Sequence, residues 1–201
     1  MTLGAVVLNT LLLVSAQTGP RDSVVFQLSP ASRFEVTTGK SGLFGFAGHE
    51  HTIRARAFSG RIVYRPKSIA VSHIEITVLT DSLEVLTPPD TEEIRKVTAS
   101  MRTEVLDVAN YPEIRLVSQG IEGTSRRITL TAALTIKGKT REVPITVDLA
   151  IGADTLRASS TFKIKQTDFG IRPYRGGPGG TVRVADEVKF SIQVIAIRQT
   201  R

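Results

Sequence analysis

Two histidines, two residues apart, are the first feature of this chain with chemical reach. In Gly48-His49-Glu50-His51 the rings of His49 and His51 stand at i and i+2. On a regular strand both project from one face. Such a pair can begin a zinc site, but a third protein ligand is needed. Glu50 and Arg54 fall on the opposite face, and His73 shares its face with Glu75. Three roles therefore stay open for the pair: a metal, the mouth of a ligand site, or hydrogen bonding within the fold. A second candidate is Arg172-Pro173-Tyr174-Arg175, followed by Gly176-Gly177-Pro178-Gly179-Gly180. The planar donor forks of Arg172 and Arg175 suit a phosphate headgroup, and the same stretch reads more simply as a solvated hairpin loop. Asp168, in Thr167-Asp168-Phe169-Gly170-Ile171, is expected to satisfy backbone donors at a bend.

Recognisable catalytic patterns are missing. There is no Gly-x-Ser-x-Gly elbow, no His-Glu-x-x-His, and no nucleotide-binding glycine pattern between a strand and a helix. Thr38-Gly39-Lys40-Ser41-Gly42 imitates a phosphate loop, but position 34 is Phe where that motif requires Gly, so a turn is expected there. Cysteine is absent, which removes thiolate nucleophiles, disulfides and Cys-based zinc sites. No catalytic residue, resident metal or cofactor is assigned. A His-dependent or metal-binding enzyme is the least supported reading.

The elements that would position these residues are strands. Ile128, Leu130, Ala132, Leu134 and Ile136 alternate with Thr129, Thr131, Ala133 and Thr135. This is the period of a strand with one face on a core and the other in water. Lys137-Gly138-Lys139 interrupts the run, and Ile145, Val147, Leu149 and Ile151 begin a second, so the two form a β-hairpin. Similar alternation covers Arg33–Thr37, His49–Ala57, Arg61–Tyr64, His73–Leu79, the run from Ile114, Leu156–Ile164 and Val188–Val194. Residues 21–30 read as a lead-in to the first of these strands. One helix is expected near residues 90–107. Asp90 and Glu93 resemble a capping box, and Ile94, Val97, Met101 and Val105 form an apolar stripe. A single amphipathic helix in a β protein packs most simply over an end of the sheet. About eight strands, which would otherwise leave exposed edges, predict closure into a barrel. A barrel of that size is either filled by side chains or holds one slender ligand.

Residues 1–20 carry no charged side chain, and Leu3–Val14 is apolar apart from Asn9 and Thr10. The length suits a signal peptide rather than a membrane span. Residues 1–16 are read as that signal and 17–201 as one exported domain, periplasmic or extracellular. Net charge is +7, which suits transient contact with an anionic membrane surface, though solubility alone is the simpler explanation. The basic residues are spread along strands without interleaved aromatics, so nucleic acid is not expected as a partner.

Asn110-Tyr111-Pro112, LTIKGKTREVPITV at 134–147 and FKIKQTDFGI at 162–171 together resemble the YceI family of polyisoprenoid-binding proteins. Phe46-Ala47-Gly48-His49 and Phe58-Ser59-Gly60 add to the resemblance, which spans roughly residues 24–197. It implies an all-β, eight-stranded antiparallel lipocalin-like barrel with one helix at its end. It also implies an isoprenoid lipid, of prenyl quinone or prenyl phosphate type, held in an apolar tunnel without catalysis. On inward strand faces the candidate lining residues are Phe34, Val36, Ile53, Ile76, Leu116, Leu130, Leu134, Phe162 and Phe190. His49, His51, Arg172 and Arg175 are candidates for its mouth. Each lining residue serves equally well as core. A structural or stress-response interaction domain with a filled barrel is the alternative.

Overall fold

The computed structural model describes residues 23–41, 50–86, 91–176 and 182–200. Its strands are β1 (Val24–Leu28), β2 (Arg33–Ser41), β3 (His51–Ala55), β4 (Phe58–Tyr64), β5 (His73–Leu79), β6 (Leu83–Val85), β7 (Glu113–Gly123), β8 (Arg127–Ile136), β9 (Lys139–Ile151), β10 (Thr155–Lys165), β11 (Arg175–Gly176) and β12 (Val182–Arg198). One α-helix, α1 (Thr91–Ser100), continues into a π-helical turn at Met101–Val105. Among the described residues no helix is long and apolar enough to cross a membrane.

Three of the strands are bent. β1 and β2 both pair with β12, β1 with its C-terminal end and β2 with its N-terminal part. β4 pairs with β1, whereas β3 pairs with β2. β5 and β6 pair in turn with β4 and β3. Taken as single bent strands, β1/β2, β3/β4 and β5/β6 join β7, β8, β9, β10 and β12 in a closed eight-stranded antiparallel barrel. Its connectivity is a simple meander in which the last strand pairs with the first.

A bend interrupts the ladder, and buried backbone groups must find other partners. Serine hydroxyls supply them. Ser32, at the β1/β2 bend, donates through Oγ to the Ile195 carbonyl at 2.9 Å and accepts the Ile195 N–H at 3.0 Å. Ser82, at the β5/β6 bend, accepts the Ala57 N–H at 2.9 Å and lies 2.7 Å from the Leu79 carbonyl. Ala57 is itself in the β3/β4 bend, so one hydroxyl serves two corners. Thr80, buried beside Ser82, donates to the Tyr111 carbonyl at 2.9 Å.

The hairpin between β8 and β9 turns through Lys137 (φ 49°) and Gly138 (φ 70°). Two successive left-handed residues match the strand twist of a two-residue loop. This turn also gathers the resemblance-bearing segments. Lys137 Nζ donates to the Val105 carbonyl at 2.9 Å, placing a cation on the end of the helical segment. A Cβ on Gly138 would lie 2.8 Å from the Tyr111 ring. The Lys139 side chain passes over Gly170, which needs its own positive φ of 68°.

Three local expectations are corrected. Residues 24–28 are a strand rather than a lead-in, and Phe26 is among the most buried residues of the barrel. Thr38–Ser41 continues β2 instead of turning, because the β12 register opens a bulge between Val184 and Val188 where Gly39 lies against Ala185. Asp168 is exposed, and the bend it was expected to serve is satisfied by another carboxylate, described below. The helix expected near residues 90–107 is present as α1 and its π turn, which together span residues 91–105. The Asp90 capping box lies outside the described residues.

Replacing Ser32 by Ala would leave the Ile195 N–H without its partner. The expected cost is about 1–3 kcal/mol, read as a lowered urea midpoint at unchanged slope.

Candidate ligand-binding site

The bends divide the interior. On the side of β2, β3, β6 and α1 lies a cavity of about 470 Å³, within the usual range for small-molecule sites. On the side of β4, β5 and the C-terminal half of β12 the interior is nearly filled, leaving about 80 Å³. The hollow end arises because β6 does not pair with β7. Instead α1 and its π turn occupy that gap, and their apolar stripe (Val97, Met101 and Val105) faces the space. No residue of α1 itself is fully buried, and Met101 is the first that is.

Val36, His51, Ile53 and Phe190 line the large cavity. Ile76, Leu116 and Leu130 line the small one. Phe34, Leu134 and Phe162 line neither. Leu134 is only 2% exposed, Phe34 lies 4.8 Å from Phe58 between ring centroids, and Phe162 stacks on Phe190 at 4.9 Å. Thr131 and Thr135 point away from the interior that Leu130 and Leu134 face. His49 lies outside the described residues, as do Gly177–Gly180 of the glycine-rich loop. Arg172 and Arg175 are exposed and line neither cavity.

The polar rim of the large cavity comes from other residues. His51 is half-buried, and its backbone N–H donates to Thr38 Oγ1 at 3.2 Å. Arg183, Tyr174, Lys96 and Glu93 add further polar groups to the rim, with Lys96 also paired to Glu92 at 2.7 Å along the helix. Sequence reasoning missed Arg183, which is the cross-strand partner of Arg175 on β11. The pattern marked a cationic stretch here but not which of its arginines borders the interior. It placed the stripe of Val97, Met101 and Val105 over an end of the sheet, without showing that these side chains border the cavity. Among the described residues no three His, Cys, Asp or Glu side chains gather as a metal site. Outside the barrel, charges pair across strands, as with Arg54 and Glu35 at 2.5 Å. Arg56 and Glu84, Arg115 and Glu75, and Lys163 and Glu187 form more exposed pairs, which add little stability but mark the wet face.

One seam of the wall opens beside the hollow end. β9 and β10 pair only through Asp148–Ile151 and Leu156–Ser159. Beyond them, Ser160 Oγ donates to the Thr146 carbonyl at 2.7 Å. The chain after β10 makes a 3-10 turn at Gln166–Phe169, which buries Phe169 and brings Ile171 to the cavity. The β12 bulge holds this turn. Gln166 Nε2 donates to the Ala185 carbonyl at 2.8 Å. The Asp186 carboxylate accepts the Thr167 hydroxyl at 2.7 Å and the Thr167 N–H at 2.9 Å. Those bonds, the hydroxyl first, hold the Asp186 carboxyl below the ordinary aspartate range.

A carboxylate whose folded value is depressed stabilises the fold at pH above its unfolded value, and that contribution is lost as pH falls through the folded one. The protein should therefore lose stability on acidification below the ordinary aspartate range, and Asp186→Asn should flatten that part of the profile. Unfolding temperatures measured across acidic pH for both proteins test this. Equal acid slopes would exclude Asp186 as the source.

Over residues 26–196 the chain matches the YceI-like domain family. Among solved structures it is similar to Burkholderia cenocepacia BcnA, with TM-score 0.67, 20% identity, and coverage of 84% of this chain and 98% of that one. A second similar structure is a polyisoprenoid binding domain from Saccharophagus degradans implicated in plant cell wall breakdown. There the TM-score is 0.65 at 11% identity, covering 87% of this chain and 98% of that one. The Campylobacter jejuni YceI protein follows with TM-score 0.57 and 17% identity, over 74% of this chain and 85% of that one. No curated protein matches. At these identities the likeness to the solved structures carries the fold alone.

Proposed function

The chain belongs to the YceI-like domain family, and from that premise we propose that it binds an amphiphilic lipid without catalysis, the apolar chain in the large cavity and the headgroup at its rim. The observation that carries this reading is the hollow end of the barrel: about 470 Å³ lined chiefly by apolar side chains such as Val36, Ile53, Met101 and Phe190. A chain placed there gains about 0.8 kcal/mol for each methylene removed from water. Affinity can therefore be built without a specific polar contact. The rim supplies Arg183, Lys96, His51 and the Tyr174 hydroxyl against the carboxylate of Glu93, a set in which donors outnumber the acidic group and which favours an anionic or hydrogen-bond-accepting headgroup.

An isoprenoid is the chain proposed. Support comes from the family and from the structurally similar domain whose printed description is polyisoprenoid binding. A prenyl phosphate suits the basic rim, and a prenyl quinone suits its donors. The uncharged residues 1–20 support an exported carrier. The net charge of +7 supports passing contact with an anionic membrane surface during loading.

Mass spectrometry of organic extracts from the purified protein tests the reading, together with titration of a prenyl phosphate. A co-purifying amphiphile and saturable binding are expected. Ile53→Trp, which fills the cavity from β3, should weaken binding by about tenfold or more, the equivalent of about 1.4 kcal/mol, while retaining the barrel's circular dichroism. A clean extract combined with no saturable binding overturns the proposal.

A further inference from the structure

The interior is hollow at one end and filled at the other, and the residues at the division are large. On β10, Ile164 lines the large cavity and Ser160 the small one, with Phe162 between them. On β8, Ile136 lines the large cavity and Leu130 the small one, with Ala132 and Leu134 between them. On β2, Phe34 follows the same rule: Val36 of its own strand lines the large cavity, and its cross-strand partner Ile192 lines the small one. Phe34 and Phe162 each engage another ring, Phe58 and Phe190 respectively.

From this arrangement we infer that Phe34, Leu134 and Phe162 form a stopper that sets the length of apolar chain the barrel accepts. The inference rests on the proposed lipid-binding reading and deepens it. The space above the stopper holds roughly fifteen carbon-sized groups, taking about 30 Å³ for each. A longer chain must leave its remainder outside, because the wall blocks the way to the small cavity. The stopper is apolar on both sides, so it excludes a chain by bulk and not by polarity. Side chains of this size in a close-packed interior do not yield without strain. The small cavity is itself lined by Ile76, Leu116, Leu130 and Ile145. Removing bulk at the wall would therefore give a longer chain an apolar place to go.

The test is a series of all-trans prenyl phosphates, from about ten to about forty carbons, titrated into the full-length protein. Affinity should rise by about fourfold for each carbon buried and then level off near fifteen carbons. Phe162→Val should move the break to longer chains. Ile164→Phe, which adds bulk above the stopper, should move it to shorter ones. The two variants shift in opposite directions, so loss of fold in one leaves the other as the test. Leu130→Phe, below the stopper, should leave the wild-type break in place. An affinity that keeps rising through the longest chain overturns the stopper but not lipid binding. A break that stays put in folded Phe162→Val and Ile164→Phe overturns it as well. If no chain of any length binds, the binding reading itself fails.

Discussion

Closing eight strands into a barrel forces every backbone N–H and C=O at a bend to find a new partner. This protein meets that demand with the hydroxyls of Ser32 and Ser82. Around them β1/β2, β3/β4 and β5/β6 all change direction, and the rest of the architecture follows. Below the bends the strands pair all the way round and their side chains nearly fill the interior. Above them β6 parts from β7, the helix takes the gap, and the wall stands far enough back to leave a void. Hollow and filled halves are two outcomes of one geometric decision, made by short polar side chains where the ladder breaks.

Local patterns were readable in the chain, and contacts across long separations were not. The alternation from Ile128 to Ile136, the Lys137-Gly138 turn and the helical stripe at Val97, Met101 and Val105 all involve near neighbours, and each is present as read. Val24, Phe26 and Leu28 carry the same alternation in β1, which is too short a run to separate from a lead-in by pattern alone. Ser32, by contrast, works on Ile195, 163 residues away. Nothing near it in sequence announces that partner. The binding region has the same difficulty. Ile53 and Ile76 carry identical side chains on similar strands, one facing the large cavity and the other a nearly filled core. Hydropathy reports that a residue faces inward, not how far away the opposite wall stands. Arg183 lies at the rim for a related reason, since its neighbours there come from β2 and β11, far from it or across a loop in sequence.

The segments that carried the family resemblance also acquire a physical account. Asn110-Tyr111-Pro112, Lys137-Gly138-Lys139 and Asp168-Phe169-Gly170 are far apart in sequence, but they meet at one end of the barrel. Gly138 lies against the Tyr111 ring, Lys139 crosses Gly170, and Lys137 binds the carbonyl end of the helical segment. This cluster anchors the helix from its C-terminal side and supports the turn beside the β9–β10 seam. Its residues hold the hollow end in shape while standing back from the void itself.

The helix has a further consequence. Its apolar stripe packs on the cluster of Val78, Leu83 and Val85 through Ile94, Val97 and Met101 and also borders the cavity, and none of the residues of α1 is fully buried. Part of its apolar surface is therefore covered by the sheet and part is turned to the cavity. Any apolar occupant would become part of the core, and the free energy of binding would add to the stability of the fold as RT ln(1 + [L]/Kd). Occupancy and folding are then linked quantities. The empty barrel should be the looser form and the loaded barrel the tighter one, with Lys137 as the fixed point about which the helix settles.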